Sequence, residues 1–69
     1  LDAIVPPPSD ILLLLYDFAK RGSVFDIRQE AEKLEQLDAK FVPFAKIIYK
    51  FAKEFKVKEL RKFIEEYVD

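Results

Sequence analysis

The sequence predicts an all-α domain of four short helices, arranged as an up-and-down bundle or as two stacked helical hairpins. Three observations carry this. Apolar residues recur at helical spacing in successive segments after residue 9. No apolar–polar alternation lasts long enough to read as a strand. Turn residues divide the chain into short runs: three prolines at 6–8, Gly22, Asp38 and Pro43. With 69 residues there is room for one domain, so 1–8 read as an extended, Pro-rich lead-in and 9–69 as a single helical domain.

The prolines favour polyproline II and donate no backbone hydrogen bond, while Ile4 and Val5 remain able to pack on the domain. Ser9 is a suitable N-cap for a first helix over 10–21. Asp10 then falls in its first turn and Lys20 and Arg21 in its last, as the helix dipole favours. Gly22 suits the left-handed stop that follows. From 11 to 19 the only polar residue is Asp17, so this helix is apolar nearly all round. One face carries Leu12, Leu15 and Ala19, and another carries Ile11, Leu14 and Phe18. Successive residues are set about 100° apart, so both sets cannot face one small core. The leftover set is either covered by the lead-in or exposed.

Ser23-Val24-Phe25-Asp26 reads as a variant capping box opening a second helix that ends near 37. Val24, Ile27, Ala31 and Leu34 form its narrow apolar seam, and the opposite face is charged. Pro43 forbids a regular helix from Ala39, because its ring would clash with that residue's carbonyl. A separate turn over 38–41 is therefore expected, with the third helix starting at Val42 or Pro43. Phe44, Ile47, Ile48, Phe51, Ala52 and Phe55 mark its buried stripe. Continued in phase, that stripe would bury Lys58, Glu59 and Lys62. The apolar set instead restarts as Val57, Leu60, Phe63, Ile64, Tyr67 and Val68, which places a break within 54–58. One unbroken helix over 43–68 is the competing reading. Either way Phe44, Ile48, Phe51, Phe55 and Phe63 are expected in the core.

The chain has no Cys and no His, which removes disulfides, Cys/His zinc sites, reactive thiols and imidazole chemistry. Ser9 and Ser23 are the only aliphatic hydroxyls, and both have cap positions. Gly22 stands alone, so no glycine-rich phosphate loop exists. Glu30, Glu32 and Glu35 read as a solvated face rather than a metal site. The sequence therefore points to a non-enzyme without cofactor, metal or small-molecule substrate. Its longest apolar run, 11–16, has six residues, whereas a membrane span needs about 20. Absence of cysteine fits a reducing cytoplasm, and a start at Leu1 fits a segment of a longer polypeptide or a processed or engineered chain.

Charge is unevenly placed despite a net of −1: residues 1–39 carry −4, 40–62 carry +6 and 63–69 carry −3. Lys46, Lys50 and Lys53 form a ridge on the polar face of the third helix, able to meet nucleic acid or an acidic partner. The overall balance, and the lack of aromatics on that face, argue against nucleic acid. A solvated face, held partly by acidic residues of the second helix, is the simpler reading. Tyr16, Phe18, Phe25, Phe41 and Tyr49 fit the core stripes less well, and with Ile11 and Leu14 they form the candidate interaction set.

Pro7-Pro8, Leu12, Leu15, Ala19 and Gly22 resemble the opening of a small helical segment found beyond the receiver domain in bacterial hybrid sensor histidine kinases. The resemblance continues through Ile27, Ala31, Leu34-Glu35, Asp38, Pro43-Phe44, Ala52, Phe55, Leu60 and Phe63-Ile64, and covers 7–67. It rests on spaced apolar positions and turn residues, with no catalytic motif. Glu54 departs from it, standing where similar segments carry a small residue. The resemblance implies a cytoplasmic accessory module of a two-component signalling protein. Such a module would act by docking on a neighbouring domain or a second copy, and it would accept no phosphoryl group.

Overall fold

The structure, a computed structural model, describes residues 4–68. Among them are four α-helices: α1 (Ser9–Arg21), α2 (Val24–Leu37), α3 (Val42–Lys53) and α4 (Val57–Glu65). A single 3-10 turn, Ala39–Phe41, precedes α3. The all-α bundle is as expected, and the break between the last two helices replaces the unbroken alternative. The radius of gyration, 10.6 Å, matches the value of about 11 Å for a compact chain of this length.

The tightest pairings are α2 with α3 and α1 with α4, while α1 also packs on α2 and α3 on α4. Only residues 38–41 join α2 to α3, the two helices pack closely, and Arg28 of α2 reaches Tyr49 of α3, so they run antiparallel. Tyr16 of α1 bonds Glu65, and Ser9 and Leu12 adjoin Tyr67 and Val68, so α1 and α4 are antiparallel as well. The α1–α2 and α3–α4 connections therefore share one end of the bundle. The lead-in, the 3-10 turn and residues 67–68 share the other.

Leu12, Leu15 and Ala19 are the face of α1 that enters the core, with Ile27, Ala31 and Leu34 from α2. Phe44, Ala45, Ile48 and Ala52 come from α3, and Leu60 and Ile64 from α4. Small residues in this set let helices approach closely where leucines and Phe44 interdigitate. Phe44, Phe63 and Tyr67 form an aromatic cluster with centroids 5.2–5.6 Å apart, joined by Phe51 at 6.2 Å from Phe63. Ile4 and Val5 pack against the core, so the lead-in is partly docked.

Several local expectations are corrected. Ser9 is the first residue of α1 rather than its cap: Pro8 takes the cap position, and its carbonyl accepts the Leu12 amide at 3.0 Å. Ser23 does precede α2, but the capping box does not form. Its amide is already committed to the Phe18 carbonyl at 2.9 Å, and the side chain makes no cap bond. Asp38 does cap: its Oδ1 accepts the Lys40 amide at 3.0 Å and opens the 3-10 turn. That turn carries Phe41 into the core at 6% exposure, which removes it from the surface set. Phe55, expected in the core, is 73% exposed, because α3 ends at Lys53 and the stripe does not extend past it. Phe51 and Phe63 are half-buried on the rim of the aromatic cluster.

Candidate interaction surfaces

The outward side of α1 follows from its phase. With Leu12, Leu15 and Ala19 inward, Asp17 lies opposite them, flanked by Leu13 and Leu14. Leu13 is 56% and Leu14 40% exposed. Ile11 and Phe18 lie at the border, half-buried against the core. Leu13 was missing from the candidate set, yet fixing the inward stripe would have exposed it, since it sits about 100° from Leu12.

The other candidates divide by what they touch. Tyr16 is half-buried and donates its hydroxyl hydrogen bond to Glu65 Oε2 at 3.2 Å, linking α1 to α4. Lys20 lies 5.2 Å from the Tyr16 ring, a cation–π contact on the exposed side. Tyr49 is half-buried beneath Arg28, whose guanidinium is 5.4 Å from the ring and 3.4 Å from the hydroxyl. These two tyrosines serve as ties between helices. Phe18 is partly covered by Arg21, which also pairs with Asp17 one turn back. That pairing holds the Asp17 carboxyl below its ordinary range and the Arg21 guanidinium above its own. Phe25, in the first turn of α2, is 65% exposed and remains a surface candidate.

Tyr16 has a consequence for pH. Partial burial, followed by the bond to Glu65 and its negative charge, pushes the phenol above the ordinary tyrosine value, with Arg61 opposing. The folded value is the higher one. The contribution of this tie is therefore intact below about pH 10 and is lost as pH rises through the folded value. A difference titration of phenolate absorbance between the parent and Tyr16→Phe should show a group ionising above free tyrosine. Ionisation at or below that value would remove the α1–α4 tie.

Lys46, Lys50 and Lys53 line a groove of about 430 Å³ between α2 and α3. Glu35, Tyr49 and Glu54 line it too, so carboxylates stand at the same groove as the ridge. Among the described residues none of these three lysines forms an ion pair within 4.0 Å. The expected support from acidic residues of α2 is thus proximity without pairing, as befits exposed side chains in water. Among the described residues no three carboxylates converge as a metal site would require. No helix described is long and apolar enough to cross a membrane.

Known proteins supply no assignment: no family model, curated protein or solved structure matches this chain. What its surface offers chemically is apolar and aromatic contact on α1 and at one bundle end, with a mixed-charge groove elsewhere.

Proposed function

We propose that this chain is a non-catalytic interaction and regulatory module of a bacterial multidomain signalling protein in a two-component, hybrid sensor kinase setting. The module is cytoplasmic and docks the outward side of α1 on a neighbouring domain of the same chain or on a second copy. The observation that carries the docking is the pair Leu13 and Leu14, exposed together on a helix whose opposite face fills the core. Adjacent exposed leucines add apolar surface that water penalises and a partner can cover. The signalling context is supported by the sequence resemblance over 7–67 alone. Phosphorylation of the neighbour would act by changing this contact, since the chain has no histidine to receive a phosphoryl group.

The test is sedimentation at several concentrations, for the chain alone and joined to a receiver domain, with tumbling of the joined domains followed by NMR relaxation. Self-association or common tumbling is expected, and replacing Leu13 and Leu14 by Glu should abolish it while the helical signal persists. A monomer at all concentrations whose two domains tumble independently would overturn the proposal. Nucleic-acid binding through Lys46, Lys50 and Lys53 is the rival reading, and Glu35 and Glu54 beside those lysines weigh against it.

A further inference from the structure

Two helix ends share one backbone geometry and differ in the residue that adopts it. At the end of α1 the Gly22 amide bonds the Ala19 carbonyl at 3.1 Å, and the Ser23 amide bonds the Phe18 carbonyl at 2.9 Å. At the end of α3 the Phe55 amide bonds the Ala52 carbonyl at 3.1 Å, and the Lys56 amide bonds the Phe51 carbonyl at 2.9 Å. Both are Schellman motifs, with the residue after the helix in the left-handed region: Gly22 at φ 70° and Phe55 at φ 59°. Glycine takes this conformation freely, whereas a phenylalanine is strained in it. No packing offsets the strain, because the Phe55 ring is 73% exposed.

The two turns also differ in what else their residues could form. Gly22 is a poor helix former, so the α1–α2 turn is fixed by its own sequence. Residues 54–58, Glu-Phe-Lys-Val-Lys, contain no Gly or Pro and could continue a helix. Straightened, the Phe55 amide would pass to the Phe51 carbonyl and the Lys56 amide to the Ala52 carbonyl, so neither loses its bond. Phe55 would stand one turn beyond Phe51 on the stripe of α3, and Glu54 would face Lys58 at i, i+4 in the favourable order. The exposed Lys56–Glu54 pair at 3.3 Å is little to give up. The turn is therefore held closed by the seating of α4 on α1 and α3. Leu60 and Ile64 are fully buried there, Phe63 lies 5.2 Å from Phe44, and Glu65 accepts the Tyr16 hydroxyl. A second copy of the chain offers the identical seat.

We propose that residues 54–56 are a hinge through which two copies of this chain exchange α4. In the exchanged dimer α3 and α4 form one helix, and each α4 sits on α1 and α3 of the other copy. Every contact of α4 is remade between copies, and the hinge alone changes, from a strained turn to a helix. Association entropy opposes the pairing, so the dimer gains on the monomer as concentration rises. The exchange does not use Leu13 and Leu14 and is independent of their docking.

The experiment refolds the chain from denaturant at micromolar and at millimolar concentration and separates monomer from dimer by size. A dimer is expected from the concentrated refolding. Refolding labelled together with unlabelled chain distinguishes exchange from docking: isotope-filtered NOEs should connect Phe44 of one copy with Phe63 and Tyr67 of the other. Phe55→Gly should lower the dimer association constant at least about tenfold, with the monomer Tm unchanged or raised, because glycine relieves the turn and weakens the helix at two hinges per dimer. Phe55→Ala, still strained in the turn but favourable in the helix, should retain the dimer. Val57→Pro should suppress it. Proline fits the first residue of α4, after a Lys56 that is already non-helical at ψ 68°, but would break a helix running through from α3. Leu13→Glu with Leu14→Glu should dimerise as the parent does. A monomer at millimolar concentration, or a dimer whose Phe44–Tyr67 NOEs arise within one copy, would overturn the proposal. So would an undiminished dimer in Phe55→Gly or in a folded Val57→Pro, or a lower Tm in Phe55→Gly, which would remove the strain. Loss of the dimer in the Leu13 and Leu14 variant would overturn it by assigning association to the outward face of α1.

Discussion

Replacing Phe44 by alanine should largely unfold the domain. Phe44 lies in the first turn of α3 and is fully buried, with its ring 5.2 Å from Phe63 and edge-on to Tyr67 at 5.6 Å. It joins α3 to the last turns of α4 through Phe63 and to Tyr67, two residues beyond that helix. Truncating a buried phenylalanine costs about 3–5 kcal/mol, through lost transfer energy and the cavity left behind. A chain of this length has a total stability of about 3–10 kcal/mol, so the loss takes most of it. A circular-dichroism melt of Phe44→Ala that follows the parent would refute the core described here. Phe51→Ala should cost less, because its ring is half-buried at the rim of the cluster.

Leu15→Ala should cost about 2–5 kcal/mol, whereas Leu14→Ala should cost under about 1 kcal/mol, although the two leucines are neighbours in sequence. Leu15 is fully buried among residues of the other helices, while Leu14 is 40% exposed. The contrast reads the rotation of α1 about its own axis. Chemical denaturation of both variants measures it directly, and equal destabilisation would show that α1 presents a different face to the core. The same pair separates stability from association, because Leu14 belongs to the proposed docking surface.

The parts of the fold that were legible in the sequence are those governed by local periodicity. The seam Ile27, Ala31 and Leu34 is buried as read, and Pro43 forces the separate 3-10 turn before α3 through its own covalent geometry. The phase shift between Phe51 and Leu60 located the helix break without a Gly or Pro to mark it. For α1 the spacing admitted two inward faces, and tertiary contact with α2 and α4 selected the one through Leu15. Phe55 was misplaced because periodicity assumes that the helix continues, while its φ of 59° turns the chain out of the stripe. The hydroxyl caps failed for a related reason. Ser9 and Ser23 have suitable side chains, but α1 begins one residue early, with Pro8 at its cap and Ser9 inside it, and the Ser23 side chain makes no cap bond. Of the surface candidates, Phe25 and Leu14 stayed exposed. Phe41 was drawn inward by a turn whose direction no residue spacing encodes.

The antiparallel contact of α1 with α4 also fixes how the domain bears load. Ser9, Leu12 and Leu13 share a groove with Tyr67 and Val68, so the two ends of the helical bundle lie side by side. Tension between residues 9 and 68 would part α1 from α4 from that end inward, contact after contact, as in unzipping, rather than shearing the whole pair at once. The α2–α3 pair, tied through Arg28 and Tyr49, lies off this line of force and would be the last to yield. Under such tension the Gly22 and Phe55 turns would lie at the far, unloaded end.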